Sequence, residues 1–179
     1  MPSPSSISQI IHVCPLSALE QTTRNARATH LISVINPWSL PETPSTISSE
    51  NHLKLGMNDI AEPQMGLIAP GAEHIDSLVA FGRNWNKAGP LVIHCLAGVS
   101  RSTAAAYILL CVINPEADER VVAKNLRAAS PAASPNRRMI RLADTKLSRN
   151  GRMIKAVDWI GEGQPVGENL PFALPTNIV

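Results

Sequence analysis

The period of apolar and polar positions changes several times along the chain, and each change marks an element. Ile7 to Val13 is partly apolar on both faces and predicts a first strand. Leu16 to Ala28 reads as a polar-faced helix, with Ser17 placed to cap it. Thr29 to Ile35 is β-branched and apolar and predicts a second strand. Pro37 to Ser49 is rich in Pro and Ser and reads as a loop. His52 to Met57 alternates polar and apolar residues, as a strand with one covered face does. A second loop, Asn58 to Pro70, holds Asp59, Glu62, Pro63 and Gly66. Gly71 to Ala88 approximates helical spacing through Ile75, Leu78, Val79, Phe81, Gly82 and Trp85, and Gly89-Pro90 ends it. Leu91 to His94 is short and continuously apolar, the pattern of a strand at the centre of a parallel sheet.

Beyond that strand the period is helical throughout. Helices are predicted over Ser102 to Val112, Glu116 to Ala129, Ser134 to about Arg149 and Arg152 to Ile160, with Asn114-Pro115 as stop and start. Gly161 to Val179 is punctuated by Pro and Gly and reads as a tail with little structure of its own. The order β-α-β-β-α-β followed by helices predicts an α/β fold: a mostly parallel central sheet of about four to five strands flanked by helices, with a helical C-terminal half. One domain over residues 1–160 and a tail over 161–179 follow from this.

Composition narrows the function without naming it. At 179 residues with 44% hydrophobic and 17% charged residues, the chain has enough material for one sizeable core. A formal net charge of +2 is too small to argue for nucleic acid or a membrane surface, and no apolar run reaches a membrane span. Met1 to Ser6 lacks the basic and long apolar regions of a signal peptide, so none is expected. Cys14, Cys95 and Cys111 have neither a disulfide framework nor metal-ligand spacing. No metal or cofactor is expected. Cys14 and Cys111 read as small buried hydrophobes, and a free thiol at Cys95 suits a reducing, cytoplasmic setting.

The chemistry concentrates in His94-Cys95-Leu96-Ala97-Gly98-Val99-Ser100-Arg101-Ser102. A buried strand delivers a Cys, a short loop follows, and an Arg opens a helix. Such a loop aims backbone N–H groups and the positive end of a helix dipole at one spot. A free thiol has a pKa near ~8.5, and helix N-termini and neighbouring cations lower it. The planar fork of Arg101 matches two oxygens of a tetrahedral oxyanion. Gly98 permits positive φ and close approach of the backbone. The Ser102 hydroxyl is one residue beyond the Arg and within reach of the sulfur.

His-Cys-(five residues)-Arg-Ser resembles the signature of the Cys-dependent protein tyrosine phosphatase superfamily, and Ala-Gly-Val-Ser-Arg-Ser resembles its dual-specificity branch. Asn-Asp-Ile-Ala-Glu-Pro and Ala-Ser-Pro-Asn-Arg-Arg-Met are similar to small bacterial tyrosine-phosphatase-like proteins. The resemblance covers roughly Ile7 to Ile160. It implies a phosphatase domain in which Cys95 attacks phosphorus and becomes a phosphocysteine. Arg101 and the backbone amides of Leu96, Ala97, Gly98, Val99, Ser100 and Arg101 would hold the phosphoryl oxygens. His94 would position the loop, and Ser102 would assist breakdown of the intermediate.

The resemblance also implies an Asp on a separate loop, as acid and later as base. Asp59, 36 residues before Cys95 and just after a strand, is the candidate, with Glu62 in reserve. The sequence reads Met57-Asn58-Asp59 in place of the family's common Trp-Pro-Asp. Asp76 reads as part of a solvated helix face. Asn136 is a candidate for positioning water, and equally a helix cap. Trp38 is placed to line a rim, and Tyr107 falls in the core. Arg137, Arg138 and Arg141 read as a solvated face or as a docking site for an acidic substrate. The loop between Cys95 and Arg101 has no Lys, unlike those of many phosphoinositide phosphatases. The expected substrate is a phosphorylated protein or another phosphomonoester: phosphotyrosine, with phosphoserine and phosphothreonine as further substrates. The alternatives are a phosphate-binding module of the same fold without catalysis and, more remotely, a rhodanese-type sulfurtransferase.

Overall fold

A continuously apolar strand needs cover on both faces, and the chain supplies it from two sides. The computed structural model describes residues 9–178; the stretch 1–6, Ile7 and Ser8 of the expected first strand, and Val179 of the expected tail lie outside the described residues. β1 (Ile10–Pro15), β2 (His30–Ile35), β3 (His52–Gly56), β4 (Leu91–Cys95) and β5 (Phe172–Pro175) form one sheet in the order β3-β2-β4-β1-β5. The first four are parallel, and β5 runs antiparallel to β1. β4 sits at the centre with every residue buried.

Six helices follow the predicted order: α1 (Leu19–Ala26), α2 (Ala72–Asn84), α3 (Arg101–Ile113), α4 (Glu119–Ala129), α5 (Arg137–Lys146) and α6 (Arg152–Ile160). α3 is buried from Arg101 to Cys111, as a helix without a polar face must be. It packs on β1, β2 and β4 and is enclosed by α2, α4 and α5. The other face of the sheet is closed by α1 and Ile47, whose contacts join Cys14, Leu31 and Val92. No helix among the described residues is long and apolar enough to cross a membrane.

The structure departs from the sequence pattern at element ends, for local reasons. Leu16–Ala18 is a 3₁₀ turn, so the first helix begins at Leu19. Ser17 does not cap it; its hydroxyl donates to Glu168 at 2.6 Å. That helix stops when Arg27 adopts left-handed backbone, φ 50°. The helix expected to reach Ala88 ends at Asn84, because Trp85 turns extended and buries its ring. α4 starts at Glu119, since Asp118 caps it by accepting from Arg120 N–H at 2.7 Å.

The stretch expected to be a tail with little structure of its own contains a strand, β5. β1 would otherwise present an unpaired edge, and β5 covers it. Leu174 enters the main core at 1% exposure. As an edge strand, β5 tolerates the prolines that argued against structure. Leu174→Ala should therefore cost roughly 2–5 kcal/mol in urea unfolding, the usual range for truncating a core leucine. A loss near zero would mean the segment is not docked.

Candidate active site

Parallel strands deliver their carboxyl ends to one edge of the sheet, where ligands of such folds bind. β4 ends there at Cys95, and the register sets Pro15 of β1 beside Cys95 and Ser33 of β2 beside His94. The chain then turns through 96–100 and enters α3 at Arg101. Gly98 is at φ 71° and lies against the end of β1: a Cβ there would meet Pro15 N at 2.8 Å and Cys14 C at 3.0 Å. Positive φ and the close approach each exclude a side chain.

The carbonyls of this loop are all held from outside. Leu96 O accepts from Leu16 N–H at 3.1 Å, and Ala97 O accepts from Asn169 N–H at 2.9 Å. Gly98 O accepts from the Asn169 side-chain amide at 2.9 Å. Val99 O accepts from Ser134 N–H and the Thr103 hydroxyl. Ser100 O accepts from Ala104 N–H at 3.0 Å and Asn136 N–H at 3.2 Å. In a planar trans peptide the N–H points opposite to the carbonyl before it, so outward carbonyls leave inward amides. Gly98 N–H accordingly donates to Cys95 Sγ at 3.2 Å, and Ser102 Oγ lies 3.1 Å from the same sulfur.

Arg101 is 3% exposed, and its Nη1 donates to Met57 O at 2.8 Å and Asn36 Oδ1 at 2.9 Å. Its buried Nε has no acceptor, and the nearest carboxylate oxygen, Asp59 Oδ2, is 4.0 Å away. Asp59 Oδ1 accepts from Ser100 Oγ at 2.7 Å and from Asn136 Nδ2 at 2.9 Å. Asn136 also caps α5, its Oδ1 accepting from Met139 N–H at 3.0 Å. Cys95 and Asp59 are thus tied to one loop, at Gly98 and at Ser100, with Arg101 at its close.

Solved structures with this architecture include phosphatases and a phosphatase-like protein. DUSP15 superposes at a TM-score of 0.59 with 18% identity, over 84% of this chain and 89% of that one. Cydia pomonella PTP-2 phosphatase gives 0.58 with 20% identity, over 78% and 87%. A human tyrosine phosphatase-like serine/threonine/tyrosine-interacting protein gives 0.61 with 14% identity, over 78% and 92%. The chain has the dual-specificity phosphatase fold. At these identities the fold is what is shared; no protein-family model and no curated protein matches the sequence.

Within this phosphatase fold, His94 lies behind the loop and begins a buried chain of hydrogen bonds. Its Nδ1 is 3.2 Å from Cys95 O. A carbonyl only accepts, so Nδ1 carries the proton and a neutral ring must accept at Nε2. Ser33 Oγ, 2.7 Å away, is then the donor. Ser33 in turn accepts from His52 Nε2 at 2.8 Å, and His52 Nδ1 accepts from Thr43 Oγ1 at 2.7 Å. One carbonyl fixes the direction of every link. Burial pushes His94 down to about 4; the hydrogen bond to Cys95 O opposes the shift, and the Arg101 charge adds to it. Burial, with Lys54 and His94 nearby, pushes His52 down to about 4 as well.

The remaining sequence candidates separate cleanly. Glu62 pairs with Arg141 at 3.0 Å, away from Arg101. Arg138 Nε donates to Pro70 O at 2.6 Å, and Arg137 pairs with Asp158 at 2.6 Å. Arg138 and Arg141 thus pin the loop that carries Asp59 onto α5. Asp76 pairs with Lys146, Trp38 is exposed on the turn after β2, and Tyr107 is core. Burial pushes the Cys14 thiol up to about 11 and Cys111 to about 12, so neither is a nucleophile near neutrality. Asn36, Met57, Ser33 and Asn169 escaped the sequence reading. For Asn36 and Met57 a signal existed: each directly follows the last residue of a parallel strand.

Gly98→Ala should cost at least tenfold in affinity for inorganic phosphate, measured calorimetrically, since the loop must move off Pro15. Unchanged affinity would refute the fit. The two histidines have native pKa values below the usual 6.5, so the unfolded chain takes up protons first as pH falls. Stability from their neutral burial is complete above about 6.5 and is lost as pH falls toward about 4. Urea unfolding should show this decline, and it should be shallower in His52→Gln.

Proposed function

We propose that the protein hydrolyses phosphomonoesters through a phosphocysteine at Cys95. The observation that carries this reading is Arg101: one edge of its guanidinium is fixed by Met57 and Asn36, and the buried Nε stands without an acceptor beside the sulfur's loop. A buried cationic donor without a partner is costly, and an oxyanion bound over Cys95 supplies one. The shared fold supports the same reading.

The chemistry proceeds in two balanced displacements. The Cys95 thiolate attacks phosphorus while the bond to the leaving oxygen breaks, and Asp59 gives that oxygen its proton. With Oδ1 held by Ser100 and Asn136, Oδ2 is the oxygen that carries the proton. Water then attacks phosphorus, Asp59 takes its proton, and the S–P bond breaks to return the thiolate. The Ser102 hydroxyl donates to the departing sulfur. The inward amides of 96–101 and Arg101 stabilise the charge on the equatorial oxygens through both steps. Asn136 acts through Asp59, since its side chain is occupied by Asp59, Ile60 and Met139.

Leu96 to Ser100 carry no charged side chain, so Arg101 is the loop's one cation. This favours a single dianionic phosphoryl group, as in phosphotyrosine, with phosphoserine and phosphothreonine as further substrates, over a polyphosphorylated headgroup.

Turnover of p-nitrophenyl phosphate tests the proposal. Cys95→Ser should abolish it and retain phosphate binding, whereas Asp59→Asn should lower kcat by roughly 10²–10⁴. Activity in Cys95→Ser would exclude the phosphocysteine. Phosphate binding without turnover in the wild type would make the chain a phosphate-reading module.

A further inference from the structure

We infer that Asn169, in the segment after α6, is a positioning residue that sets the peptides flanking Gly98; this rests on the phosphatase reading above. The segment is anchored on both sides of Asn169. Before it, Gln164 N–H donates to Pro131 O at 2.9 Å, and Glu168 accepts from the Ser17 hydroxyl at 2.6 Å. After it, β5 is zipped to β1, and Thr176 O accepts from Asn114 Nδ2 at 2.8 Å.

Between these anchors Asn169 grips two consecutive peptides of the phosphate loop. Its backbone N–H donates to Ala97 O, which directs the Gly98 N–H at Cys95 Sγ. Its side-chain Nδ2 donates to Gly98 O at 2.9 Å, which directs the Val99 N–H inward. The same Nδ2 donates to the buried Ser130 Oγ at 2.9 Å, which fixes the amide plane.

The need for such a grip follows from Gly98 itself. Without a Cβ, glycine has broad backbone freedom. The peptide between Gly98 and Val99 can therefore rotate and turn a carbonyl, in place of an N–H, toward the bound anion. The carbonyls of Leu96, Val99 and Ser100 are held by Leu16, Thr103, Ala104, Ser134 and Asn136; among the described residues, the two around the flexible glycine are held by Asn169 alone.

Asn169→Asp tests this, because it keeps the shape and replaces the donor with an acceptor that repels Gly98 O. Asn169→Ala is the second variant, and Leu170→Ala, an exposed neighbour, is the control. Inorganic phosphate binding by calorimetry and kcat/KM on p-nitrophenyl phosphate are measured at a temperature where each variant is shown by circular dichroism to be folded. Loss of one such hydrogen bond predicts phosphate affinity and kcat/KM lower by roughly five- to thirtyfold in Asn169→Ala, more in Asn169→Asp, with Leu170→Ala unchanged. A lowered melting temperature with wild-type phosphate affinity in the folded variants would overturn the proposal and leave a merely structural tie. Phosphate binding reports on Asn169 even if turnover is absent, so failure of the catalytic reading and failure of this one are told apart.

Discussion

Everything at the site depends on which way the six peptide planes between Cys95 and Arg101 face. A carbonyl and the following N–H are locked on opposite sides of one plane, so a loop becomes an anion receptor only if something outside it holds its oxygens. Here the holders come from far apart in the chain: Leu16 after β1, Ser134 and Asn136 before α5, Asn169 after α6. The helix that begins at Arg101 supplies the dipole, and the rest of the fold keeps those carbonyls turned away.

The carboxyl arm is built by the same economy of contacts. Asn136 caps α5, binds Asp59 through its side chain and binds Ser100 O through its backbone. One residue therefore fixes the start of a helix, the orientation of the Asp59 carboxyl and the end of the loop before Arg101. Arg138 and Arg141, which resemble a docking patch in sequence, fasten the loop that carries Asp59 to that helix.

What could be read from the sequence follows from what is local. The order of strands and helices, and the placing of Cys95, Gly98, Arg101 and Ser102 in one turn, are matters of period and short spacing, and they are legible. Asp59 is legible as a residue just past a strand, yet its relation to Arg101 depends on sheet order. Asn36, Ser33 and Asn169 are polar residues without a local pattern; only strand register and a returning chain end bring them to the loop. In the segment after α6, Pro and Gly argue locally against structure, whereas the demand for β5 arises in β1, far away in sequence.

That pairing has a consequence for how the protein assembles. Gln9 and Asn177 are hydrogen-bonded across a separation of 168 residues, and Ser17 and Glu168 across 151. Contacts of such range raise the mean sequence separation of the native contacts, which slows folding. The entropy of closing so long a loop grows only logarithmically with its length, so stability is little affected. The sheet can therefore form its four parallel strands before β5, and with it the outer support of Gly98, docks on β1.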